Sequence, residues 1–166
     1  MYQSLFETPV WITKVNPART NLVSSDFKES FLSNSLSSFE GKNEIDAEGT
    51  EYLLNKISHC LQDLNIKSIG LQQIWRNIYN GHCQERHMHV KSHFSFTIYE
   101  KLEKPQTVFY HPAHDMIYSL GLESYIKPYI TPKVVQGDMI LFPSYLEHMV
   151  KPSKGSMTIS GNIGIL

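Results

Sequence analysis

A chain of 166 residues is about one domain long, at roughly 150 residues per domain, so residues 1–166 are expected to form a single domain. Its 15 basic and 16 acidic residues give a net charge of −1. That excludes a basic surplus able to drive nonspecific binding to nucleic acid or to membranes. At 41% hydrophobic and 19% charged residues the chain is not disordered, and its two cysteines, Cys60 and Cys83, lack CxxC spacing and suit a reducing cytoplasm.

Residues 1–15 are expected to be extended, because Phe6-Glu7-Thr8-Pro9-Val10-Trp11-Ile12 is rich in aromatic and β-branched residues. Pro9 keeps this segment from a sheet centre, and an edge strand near 5–14 is a candidate for pairing into a homodimer. The first six residues lack a basic leader pattern, and no apolar run approaches the roughly 20 residues that span a bilayer. The expectation is a cytoplasmic protein with no membrane partner.

Residues 18–48 are rich in Ser and Asn, and one or two short helices joined by polar loops are expected there. Residues 50–64 form the strongest helical pattern, with Leu53, Leu54, Ile57, Cys60, Leu61 and Leu64 at helical spacing and Asn65 as a stop.

From Ile69 onward the pattern is β. Ile74–Tyr79 ends at the turn signal Asn80-Gly81, Phe94–Tyr99 alternates, and Thr107–Tyr110 ends at His111-Pro112. Lys133–Val135 precedes a turn at Gln136-Gly137-Asp138, Met139–Phe142 stops at Pro143, and Met157–Ile165 alternates again. Short strands at turn-punctuated intervals imply a mainly β barrel or sandwich with flanking helices. Trp75, Phe94, Phe96, Phe109 and Phe142 are expected to be core residues.

The chemistry lies in the histidines. In His87-Met88-His89, strand geometry points residues i and i+2 to one face, so both imidazoles can meet one ion. His148, which follows the turn, strand and loop Gly137–Ser144, is the best third ligand. Two vicinal ligands plus one distant ligand leave coordination positions open. Non-heme Fe(II) oxygenases use this arrangement, usually with a carboxylate as the middle ligand. His111-Pro112-Ala113-His114-Asp115 is a weaker metal candidate and is better explained as an exposed loop, and His59, His82 and His93 are expected to be structural or exposed. Metal affinity is expected to fall below about pH 6.5, where ordinary imidazoles protonate.

The run Gln84–Ser95 resembles the "Q-x-x-H-x-H-x-x-S-x-x-S" motif of 2-oxoglutarate- and Fe(II)-dependent oxygenases, in the prolyl-hydroxylase-like branch of tailed phages and marine bacteria. Gly137–Ser144 with His148 is similar to that branch's "G-D-x-x-x-F-P-S…H" motif. Phe6–Trp11 resembles its "F-x-T-P-x-W" opening, and Ile159–Asn162 its closing "I-S-x-N". The resemblance touches both ends and the middle in the same order. It implies a double-stranded β-helix (a jelly-roll, cupin-like barrel) and a dioxygenase that uses Fe(II) and 2-oxoglutarate to hydroxylate a substrate the sequence does not name. It also implies His87, His89 and His148 as the metal ligands.

The family's basic residue for the far carboxylate of 2-oxoglutarate, usually Arg, falls at Ser156 in this sequence. Lys154 or Lys151 from the neighbouring loop is one substitute, and another is a basic group on a different strand. Ser95, Thr97 and Tyr99 on one strand face, with Ser156, Thr158, Ser160 and Asn162 on another, are candidates to add hydrogen bonds. The rival readings are a cupin-like metal protein that does not use 2-oxoglutarate and a noncatalytic barrel.

Overall fold

A computed structural model describes residues 7–30, 33–104 and 106–166. Leu5 and Phe6 of the expected N-terminal strand lie outside these residues, as does the side chain of His82.

In chain order the strands are β1 (Trp11–Lys14), β2 (Val23–Ser25), β3 (Lys28–Ser30), β4 (Ser33–Ser37) and β5 (Lys42–Glu44). Helix α1 (Ala47–Cys60) follows, then β6 (Ile69–His87), β7 (Phe94–Lys101), β8 (Thr107–Tyr110) and α2 (His114–Ser119). The chain ends with β9 (Tyr129–Ile130), β10 (Asp138–Pro143) and β11 (His148–Ile165).

The main sheet runs β1-β10-β7-β11-β6-β4-β3, and every pairing in it is antiparallel. The long strands β6 and β11 pair along nearly their whole lengths, from Ile69↔Ile165 to His87↔His148. On its other side β11 changes partner. Its C-terminal half pairs with β7, and its first residues, His148 to Val150, pair with β8. Register shifts between His148 and Ser156 bend the strand from one layer to the other, and left-handed Gly81 (φ 85°) and Gly155 (φ 78°) supply the backbone conformations. This double-stranded β-helix matches the jelly-roll expectation.

Period-2 alternation divides the sheet into two faces. Phe94, Phe96, Ile98, Met139, Leu141, Ile159 and Ile163 pack with Leu53, Ile57 and Leu61 around α1. Asp46 caps that helix, its carboxylate accepting from the Gly49 amide at 2.7 Å. On the opposite face Tyr99, Ile140 and Phe142 join Phe109 and Leu146 inside the barrel.

Three expectations are corrected. Residues 18–48 form strands β2 to β5 after a 3₁₀ turn at Pro17–Thr20, because short Ser/Asn segments without a helical apolar stripe are held by cross-strand pairing. Asn80-Gly81 is a bend within the continuous β6, since β11 supplies partners on both sides of it. Lys133–Val135 is not a strand: the Val135 amide is taken by the Asp138 carboxylate at 2.8 Å instead of a neighbouring strand.

Candidate metal centre

His87 closes β6 and His148 opens β11, and the two are register partners. His89 lies just past β6, where its backbone amide donates to the Ser144 carbonyl at 3.0 Å. The three imidazoles therefore meet at one end of the barrel. One ligand atom from each lies within 4.8 Å of the others.

Each ring has one nitrogen engaged by an oxygen. Nδ1 of His87 meets the Glu85 carbonyl at 2.7 Å, and Nδ1 of His148 meets the Leu146 carbonyl at 3.0 Å. Nδ1 of His89 meets Asn162 Oδ1 at 2.6 Å. A carbonyl oxygen only accepts, so all three Nδ1 atoms carry the proton and all three Nε2 lone pairs are left for a metal. Burial lowers the pKa of all three rings, His148 most, with the neighbouring His87 and His89 charges adding to the effect there. Neutral imidazole is the metal-binding form.

Asn162 is itself held. Its Oδ1 also accepts from Ser95 Oγ at 3.0 Å, and Ser95 Oγ lies 2.8 Å from Ser144 Oγ, which accepts from Ser92. Trp75, expected only as core, stacks on His89 with centroids 5.7 Å apart and meets Phe39 edge-on. The stacking depends on the bend of the chain after β6 and has no sequence signal. Phe142 and Phe109 pack against His148 as the expected core residues do.

A cavity of about 10 Å³, room for about one water, lies beside the histidines and is lined by Tyr79, Gln84, Thr97, Thr107, Thr158 and Ser160, among others. It adjoins an open groove of about 340 Å³ that shares Trp75, Gln84, His87 and His89 with it. Of the residues expected to hold the co-substrate, Thr97 and Thr158 line the cavity, and Tyr99 reaches its wall by donating to Thr107 Oγ1 at 2.7 Å. Ser95 is placed beneath His89 by its bond to Asn162. Ser156 is buried among Ser153 and the Glu103 amide, outside the cavity lining, and Lys154 and Lys151 are exposed. Neither lysine lines the cavity in this structure; register shifts of β11 fall at these positions, and the cavity lining carries no Lys or Arg.

The His111–Asp115 segment is a turn leading into α2, whose first residues His114 and Asp115 pair at 2.8 Å beside Arg86. Arg86 also bonds Glu147, at 2.8 Å through Nε, and lies over the Tyr110 ring. This pair joins the residue before His87 to the residue before His148. His59 and His93 are exposed, as expected.

The family model described as "Putative 2OG-Fe(II) oxygenase" matches residues 73–161, more than half of the chain and all three histidines. This chain belongs to the 2OG-Fe(II) oxygenase family. The enzyme's cofactors are accordingly Fe(II) and 2-oxoglutarate. Among solved structures the oxygenase resembles a Pseudomonas putida prolyl-4-hydroxylase at 15% identity, covering 91% of this chain and 77% of that one, with a TM-score of 0.51. It also resembles AviO1 from Streptomyces viridochromogenes Tue57, at 14% identity, 86% and 70% coverage and a TM-score of 0.54. HygX from Streptomyces hygroscopicus, solved with nickel, 2-oxoglutarate and hygromycin B, matches at 10% identity, 95% and 83% coverage and a TM-score of 0.51. These likenesses are of fold. No curated protein matches the chain.

The donor set fits Fe(II): imidazole suits iron, and the oxygen partners orient each ring. For 2-oxoglutarate the cavity offers hydroxyl and amide groups and no cation. Among the described residues, no helix is long and apolar enough to cross a membrane.

Proposed function

We propose that His87, His89 and His148 hold one Fe(II) through Nε2, and that residues 1–166 act as one oxygenase domain on a substrate bound in the adjoining groove. The observation that carries this reading is the set of three Nδ1–oxygen bonds, which leaves three Nε2 lone pairs free on rings whose ligand atoms lie within 4.8 Å of one another. When bound, the metal and 2-oxoglutarate supply oxidation of a substrate C–H bond by dioxygen, with succinate and carbon dioxide as coproducts. The chain's own residues orient the ligands, shield them from bulk water and bind the substrate.

Phe39, Trp75, Met88 and Val90 give the groove apolar walls, and Lys28, Glu29 and Glu40 put both charge signs at its rim. This supports a substrate with an apolar body and polar ends over a polyanion such as nucleic acid. The two cysteines, both free, support a cytoplasmic location. β1 ends the main sheet among the described residues, so its outer edge is the candidate for homodimer pairing.

The test is to add Fe(II) and then 2-oxoglutarate to apo-protein without oxygen. A visible charge-transfer band in the wild type, lost in His87→Ala and His148→Ala, is the expected result. A band that persists in both variants would place the metal elsewhere.

A further inference from the structure

The backbone ladder is weakest where the metal ligands sit. His87 is the last residue of β6 and His148 the first of β11, and the ends of elements open most readily. Four of the five register shifts in the β6–β11 ladder fall between His148 and Ser156, directly beyond this pair. His89 lies past the end of the ladder altogether. Backbone pairing alone leaves the two strand ends free to part.

A side-chain contact spans them. Arg86 and Glu147 each precede a ligand, so they stand diagonally across the His87–His148 pair, within reach of long side chains. Alternation turns them to the face away from the imidazoles. They line a surface groove with Tyr110 and Asp115, and neither lines the histidine cavity or the groove beside it. Arg86 donates to Glu147 Oε2 from two nitrogens, Nε at 2.8 Å and Nη2. Its guanidinium carbon lies 4.6 Å from the centroid of the Tyr110 ring. Tyr110 is tied to β11 on both sides of His148: its amide donates to the Glu147 carbonyl at 2.9 Å and its hydroxyl to Met149 Sδ at 2.8 Å. Arg86 thus joins β6 to β11 and, through Tyr110, to β8. Asp115 is a lesser partner, at 3.3 Å with its side chain 82% exposed.

We propose that Arg86 and Glu147 are positioning residues for the metal centre, their ion pair closing the ends of β6 and β11 so that His87 and His148 stand in place before a metal arrives. This rests on the iron site proposed above. The two side chains keep 32% and 34% exposure, and a pair so exposed adds little to global stability. Its effect falls on the local equilibrium between closed and parted strand ends. A metal that needs both ligands binds the closed form, so its apparent affinity scales with the closed fraction.

A brace and a simple field effect differ in sign. Arg86 repels a bound cation and Glu147 attracts one. If charge alone mattered, removing Arg86 would tighten metal binding and removing Glu147 would weaken it. A brace needs both partners, so the loss of either weakens binding.

The experiment measures Co(II) affinity, by competition with a chelator, in the wild type, Arg86→Met, Glu147→Gln and the double variant. Methionine keeps an apolar stem against Tyr110 and removes the guanidinium. Arg76→Met is the control, since Arg76 pairs with Glu100 at 2.8 Å farther along β6. Each single variant is expected to bind Co(II) about five- to tenfold more weakly, and the double variant no more weakly than either, as for residues that act as one unit. The visible spectrum of the Co(II)-saturated protein should match the wild type throughout, because the ligands are the same. Arg76→Met should keep wild-type affinity.

Opposite changes in the two single variants, losses that add in the double variant, or unchanged affinity in both overturn the proposal. So does an equal loss in Arg76→Met, which would make the effect one of general stability. If the wild type binds no Co(II), or His87→Ala binds it as well as the wild type, the iron site itself fails and the proposal with it, an outcome distinct from a site that binds without needing the pair.

Discussion

His148 and His87 are cross-strand partners in β11 and β6, with ring centroids 4.3 Å apart and each Nδ1 held by a carbonyl of its own segment. The site is therefore as rigid as the strand pairing beneath it. Removing any one of His87, His89 or His148 by alanine substitution is expected to reduce bound Fe(II) from one equivalent to a small fraction of one. Metal analysis after dialysis checks this, and near-stoichiometric iron in any of the three would remove that residue from the ligand set.

Asn162 acts on the metal through His89. Asn162→Ala leaves the His89 Nδ1 hydrogen without its acceptor at 2.6 Å and should weaken metal binding about 10–100-fold. Asn162→Asp keeps an acceptor there and should retain most of the affinity. Competition with a chelator reads both, and equal losses in the two variants would mean that the position matters for packing alone.

The apo-protein should lose stability in mild acid. Burial lowers the pKa of His87, His89 and His148, whereas in the unfolded chain they titrate near 6.5. Between those values the unfolded state binds more protons, so stability falls as pH drops below about 6.5 and is fully present above it. Urea denaturation at pH 7.5 and 5.5 should show a lower midpoint at 5.5, and His148→Phe should lessen the difference. By the same lowering, proton competition for the three ligands is expected to begin below the ordinary imidazole range.

Trp75 is 4% exposed and lies between His89 and Phe39. Trp75→Ala is expected to cost about 3–5 kcal/mol by leaving a cavity. It should also loosen the metal by freeing the His89 ring. Denaturant titration and metal affinity measured together test this, and a stable variant with wild-type metal binding would refute the supporting role.

Gly161 is where β11 crosses Phe96. A Cβ there would sit 2.5 Å from the Phe96 ring and 2.6 Å from the Gln73 carbonyl. Gly161→Ala should therefore destabilise the protein by about 1–3 kcal/mol through overpacking. A thermal midpoint within a degree of wild type would show that the sheet gives way freely.

What the sequence determined by itself is whatever depends on local periodicity. Period 2 in Phe94–Tyr99 and Met157–Ile165 put Ser95, Thr97, Tyr99, Thr158, Ser160 and Asn162 on one side before any contact was known, and the apolar stripe of 50–64 marked α1. The two-residue spacing of His87 and His89 and the turn-strand-loop before His148 marked three histidines for one metal. What only the tertiary structure decided is whatever depends on a partner far along the chain. The strands of 23–44 exist because of their neighbours, since Ser- and Asn-rich segments have no period of their own. Asn162 under His89, Trp75 over it and Glu147 against Arg86 arise because β6 and β11 bend together, and a bend brings together residues whose separation in sequence carries no pattern. The neutral cavity wall is of the same kind: Ser156 and Lys154 are near His148 in sequence, but register shifts of β11 fall between them and it, and neither lines the cavity.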